Sequence, residues 1–197
     1  MNNIPHPNIV KVVAAFLILL FILSLAYFGY QNYQVGSTSW DIFISSILLA
    51  VPLALLYFSI YILVKASWQR RSQGHLSDRL SKYIYWTPRI AAILIIIFVG
   101  MFSLDVFGGE ASVWEQLGGF VIHSLPSIVM AIVLAFAWRR PWIGFACFLL
   151  VAIFFLRFLI PNPLENFGHL LLFSGPMAVV AMLFWADWKW RNPVSAA

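Results

Sequence analysis

The sequence predicts an all-α integral membrane protein. Six transmembrane helices are expected, arranged as three tandem helical hairpins with both termini in the cytoplasm (N-in/C-in). Three observations carry this reading. First, the chain of 197 residues is 62% hydrophobic and only 10% charged, which excludes an ordinary soluble domain. Second, its apolar runs are long enough to cross a hydrocarbon core of about 30 Å, and short segments separate them. Third, the charges sort by side. Lys11, Lys65, Arg70, Arg71, Arg79, Lys82, Arg89, Arg139, Arg140, Lys189 and Arg191 fall on one face, and Arg157 lies toward the other. Asp41, Asp105, Glu110, Glu115 and Glu165 fall on the face with Arg157. Such a bias puts the cationic face in the cytoplasm.

The net charge of +5 sits at membrane boundaries, so it is no nucleic-acid footprint. The lone Cys147 excludes an intrachain disulfide.

Residues 1–66 read as the first hairpin. Helix one follows Lys11 and reaches about Tyr30. Ser24-Leu25-Ala26 offers a small-x-small cleavage site, but apolar character continues past it, so an uncleaved helix is expected. Gln31 to Ser37 is a polar outer loop. Helix two starts after Thr38 and ends near Ala66. Residues 67–87 form a basic cytoplasmic linker. Leu76, Leu80, Tyr83, Ile84 and Thr87 share one helical face there, as a short amphipathic helix on the inner leaflet requires.

Residues 88–197 read as a four-helix module of two repeated hairpins. Thr87-Pro88 is a cap followed by proline at the first helical position. Helix three then runs to about Phe107, where Gly108-Gly109 stops it. Helix four runs from Ser112 to Arg139. Pro141 opens helix five, which ends at Ile160. Pro161-Asn162-Pro163 turns the chain into helix six, which ends around Trp190.

The even-numbered helices share a template. It reads Thr38, Asp41, Pro52, Lys65, then Ser112, Glu115, Pro126, Arg139, then Asn162, Glu165, Pro176, Lys189. The spacings agree in all three copies. An acid three residues after a Thr or Ser cap makes a capping box. Membrane thickness sets helix length but does not fix the register of a mid-helix proline, so internal duplication is expected. Ser124 with Ser174 and Trp138 with Trp188 extend the match between the last two copies.

Each template proline lies about 14 residues past its cap, hence about 21 Å along the helix. Proline removes a donor and frees the carbonyl four residues earlier, here those of Leu48, Ile122 and Leu172. Converging even helices would bring these kinks around a cavity. Asp105, His123, Arg157 and His169 are the candidate polar cluster, because ionisable residues inside a bilayer are functional candidates by default. Asp105 and Arg157 could pair, with either histidine joining them. The histidines do not occupy matching repeat positions and no second motif completes a ligand set, so no metal and no cofactor are assigned. No phosphate loop, His-Glu-x-x-His, cysteine pair or nucleophile elbow is present, and no catalytic residue is assigned.

Leu104-Asp105-Val106-Phe107, His123-Ser124-Leu125-Pro126 and Ala137-Trp138-Arg139 resemble small bacterial multi-pass membrane proteins that are catalogued as uncharacterised. Ser174-Gly175-Pro176 and Phe184-Trp185 extend the resemblance, which covers residues 88–191. It implies a four-helix membrane module and no particular chemistry. The expected function is a non-enzymatic accessory or scaffold subunit of a bacterial inner membrane. It would pack against a membrane-protein partner or a second copy of itself, within the lipid bilayer. The alternatives are a small-solute or ion transporter or channel built on the kinked even helices, and a haem- or metal-binding membrane protein.

Overall fold

A computed structural model describes residues 7–108, 112–157 and 167–190. Among these every regular element is helical: α1 (Pro7–Gln34), α2 (Ser39–Gln73), α3 (Asp78–Met101), a 3-10 turn (Phe102–Gly108), α4 (Val113–Arg139), α5 (Pro141–Leu156), α6 (Phe167–His169), a π turn (Leu170–Ser174) and α7 (Gly175–Trp190). Five stretches are long and apolar enough to cross a membrane, and Pro141–Leu156 is a shorter apolar helix.

The helix ends follow from local chemistry. Thr38 caps α2, its side chain accepting from the Asp41 amide at 3.2 Å while Asp41 Oδ2 accepts from the Thr38 amide at 3.1 Å. Ser112 caps α4 in the same way, with Glu115 Oε2 accepting from the Ser112 amide at 2.9 Å. Each box satisfies orphan donors of the first turn. The third cap, Asn162 with Glu165, lies outside the described residues.

Two boundaries differ from the sequence reading. Helix α2 continues past Ala66 to Gln73 and stops at Gly74, whose φ of 75° is the left-handed conformation glycine adopts without strain. Helix α3 starts at Asp78 after Ser77, so Pro88 stands inside it rather than at its start. The expected linker helix is therefore not a separate element. Its residues complete α2, make the short connection and open α3, and its aliphatic face packs on protein while Tyr83 stays exposed. Leu76, Leu80 and Ile84 are buried with Ile62 and Ala66 of α2 and with Leu183 and Ala186 of α7.

The larger core joins four helices. Ala91, Ala92 and Ile95 of α3 meet Met130, Leu134 and Ala137 of α4. Phe148 and Ala152 of α5 and Met177, Val180, Ala181 and Phe184 of α7 complete it. Alanine recurs at these contacts because helices in lipid gain little from apolarity alone and associate by close packing. At Gly144 the approach is closest, since an added Cβ would lie 2.7 Å from Cγ and Cδ2 of the Phe184 ring. That ring also stacks on Phe148, centroids 5.8 Å apart. Helix α7 touches α5, α3 and α2 and is the centre of the bundle, whereas α1 packs chiefly on α2.

The template prolines do not converge. Pro52 and Pro176 are buried, and Pro126 is exposed on the outer side of α4. Pro52 stands inside α2 and Pro126 inside α4. Pro176 stands at the start of α7, directly after the π turn. With Pro126 exposed, the three prolines do not ring one cavity among the described residues. Register along a helix sets depth, but the direction around its axis is set by packing.

Candidate functional site

Among the described residues the buried ion pair lies away from the polar cluster the sequence singled out. Arg89 of α3 and Asp187 of α7 pair at 2.9 Å, and both side chains are 0% exposed. Arg89 falls one helical turn after Tyr85, so both share a face of α3. Its Nη1 also donates to the Tyr85 carbonyl, and its Nη2 donates to the Trp138 carbonyl at 3.0 Å. Trp138 lies in the last turn of α4, where carbonyls have no partner within the helix. Arg89 supplies one. The guanidinium carbon stands 3.7 Å from the Tyr85 ring centroid, with Trp138 and Phe184 rings at 5.7 and 5.8 Å. One cation thus ties α3, α4 and α7 together.

Burying two charges is costly, and only close pairing with further hydrogen bonds offsets that cost. Here the carboxylate, two backbone carbonyls and three aromatic faces offset part of that cost, while the Arg89 Nε makes no hydrogen bond among the described residues. Neither side chain of the pair has exposed surface. Its chemistry is that of a clasp at one end of the bundle.

The sequence reading placed Arg89 among the inner-face cations and overlooked Asp187. The signal was present. Asp187 is an acid inside the apolar run Phe184-Trp185-Ala186, at a chain end rich in cations. What the sequence lacks is the partner, since the two residues stand 98 positions apart.

The expected polar cluster does not assemble among the described residues. Asp105 is exposed in the 3-10 turn, Arg157 is exposed just after α5, and His123 is exposed on α4. No ion pair or hydrogen bond joins these three. His123 Nδ1 donates to the Gly119 carbonyl of its own helix at 2.9 Å. The His169 backbone belongs to α6, and its side chain lies outside the description. Among the described residues no three of His, Cys, Asp and Glu gather in a metal-binding group. The serines before the prolines act differently from each other. Ser174 donates across to the Ala152 carbonyl of α5 at 3.1 Å, whereas Ser124 lends its carbonyl to Ser127 at 2.8 Å.

The model of one protein family matches residues 77–195, and its description is a domain of unknown function (DUF7670). The match takes in α3 to α7, both partners of the clasp included. No curated protein and no solved structure matches the chain.

Proposed function

From a chain that belongs to the DUF7670 family, and whose buried charges are spent on its own packing, we propose a non-enzymatic membrane subunit that assembles through the outer face of α4. In this reading six spans form three repeated hairpins in a bacterial inner membrane, with both termini cytoplasmic. The positive-inside distribution of charge supports that orientation.

One observation carries the assembly role. His123 lies about 16 Å from the start of α4, well inside the apolar run, yet its side chain is exposed. Ionisable residues at such depth almost always face protein or a watery cavity rather than lipid. With Nδ1–H donating to Gly119, the Nε2 atom is left as an acceptor. Pro126 stands on the same exposed side. It frees the Ile122 carbonyl there. Two exposed acceptors fit a covering helix that carries donors. Around them Val121, Ile122, Leu125, Ile128 and Val129 are exposed and supply apolar contact.

Photo-crosslinking in native membranes tests this. A photoreactive residue at Val129 is expected to give one discrete protein adduct, with a partner or with a second copy. The same probe at Ile18, exposed on α1, is the reference. Equal, diffuse lipid labelling at both positions would overturn the proposal.

A further inference from the structure

We propose that a groove between the C-terminal ends of α2 and α7 binds the phosphate head of an anionic phospholipid. The groove has a volume of about 650 Å³. Arg70 and Arg71 line it together with Trp68, Trp185 and Trp190, above an apolar floor that includes Leu63 and Met182. It needs only that the helices span a membrane and stands apart from the subunit role.

The local sequence explains the shape. Helix α2 outlasts its apolar run by about two turns, which carries Arg70 and Arg71 past the hydrocarbon boundary. Helix α7 ends at Trp190 beside it, and the Trp185 and Trp190 rings meet edge to face at 5.1 Å. Tryptophan prefers the headgroup level of a bilayer. From Leu63 to Arg71 the groove descends about 12 Å, so it passes from phosphate depth into acyl depth.

Charge selects the ligand. Among the described residues no carboxylate pairs with Arg70 or Arg71, and Asp187 of α7 is held by Arg89. Each helix C-terminus contributes about half a negative charge. Two such ends offset about one arginine and leave about one positive charge, which one phosphodiester would neutralise. Arginine presents a planar fork that matches phosphate oxygens. A free phosphate would satisfy the fork but leave the apolar floor uncovered. An anionic lipid covers both, with its acyl chains over Leu63 and Met182.

The experiment is native mass spectrometry of the full chain released from detergent with either phosphatidylglycerol or phosphatidylcholine. A preference for phosphatidylglycerol is expected. R70Q/R71Q is expected to reduce it on the order of tenfold, from the loss of two cations at a membrane surface. R79Q/K82Q removes the same charge from the groove between α2 and α3 and is expected to keep the preference. Equal loss in both variants, or no preference in the wild type, would overturn the proposal. Full displacement by millimolar inorganic phosphate would make this a free-phosphate site and overturn the lipid assignment. A phosphatidylglycerol with a photoreactive head, applied to the wild-type protein, gives an arm independent of variant folding. It is expected to label residues 63–71 and 182–190, and uniform labelling of all helix ends would refute the site.

Discussion

Helices α1 and α7 are both apolar, and the most apolar window of α1 exceeds that of α7 in hydropathy. Their places in the molecule are opposite. Half of the α7 window is buried (50%), against 11% for α1. Helix α7 buries Ala181, Phe184, Ala186 and Asp187, whereas α1 buries Leu17 and Ser24. In lipid, apolarity does not draw helices together, because the acyl chains are equally apolar. Small residues that permit close approach, and a charge that needs a partner, decide which helix is central. Helix α1 has weaker ties, a Ser24–Tyr57 hydroxyl contact at 2.7 Å and an Asn32–Ser45 hydrogen bond at 3.0 Å. The family match begins at residue 77 and includes α7 but not α1.

The clasp is where this contrast is most easily broken. Arg89→Ala removes the cation that pairs with the buried Asp187 carboxylate and is expected to cost about 3–5 kcal/mol. Asp187→Ala should cost a similar amount. Unfolding in detergent, followed by tryptophan fluorescence, measures both. R89M/D187L removes both charges and should recover most of the loss, since apolar replacement of a buried pair is often near neutral. A cost under about 1 kcal/mol for Arg89→Ala would mean that packing alone holds α7 at the centre.

The next effect tests the packing term by itself. Gly144→Ala places a methyl 2.7 Å from the Phe184 ring, and that ring is backed by Phe148. Overpacking of this kind costs about 1–3 kcal/mol. Gly118→Ala is the matched control, because nothing lies within 4 Å of its added Cβ. Alanine is the better helix former by about 1 kcal/mol, so Gly118→Ala should be neutral or stabilising. Opposite signs at two helical glycines would show that contact geometry, not propensity, governs the core.

These two sites also mark how far the sequence could be read. The apolar runs and the Ser112–Glu115 cap are local, and local chemistry is legible. The end of α2 is equally local, since Gly74 is a helix stop followed by the Ser77 cap, but hydropathy falls earlier, after Ala66. Hydropathy reports the solvent, whereas the backbone helix extends beyond the membrane face. The Arg89–Asp187 pair depends on which helices are neighbours, and no spacing encodes that. For the same reason the sequence leaves open whether Asp105, His123, Arg157 and His169 meet in space, and the first three are exposed side chains. Their places in the sequence set a depth, and depth leaves the direction around each helix open.

A smaller effect is expected at α1. Tyr57→Phe removes the hydroxyl that meets Ser24. Hydrogen bonds between membrane helices average about 0.6 kcal/mol, and the loss should be of that order because Ser24 Oγ keeps its bond to the Leu20 carbonyl at 2.8 Å. A loss of several kcal/mol would make α1 an integral part of the core and erase the contrast with α7.

The smallest effect on stability is expected at His123, and it carries the most functional meaning. The imidazole is exposed and bonds within its own helix. His123→Ala therefore leaves no buried group without a partner, and the change in unfolding free energy should stay within about 0.5 kcal/mol. If the outer face of α4 is covered by a partner helix, the same substitution should lower the yield of the Val129 crosslink while the protein remains as stable as wild type. A structural histidine moves both measurements together, and a lipid-facing one moves neither. Only an interface residue separates them, because its bonding partner belongs to another chain.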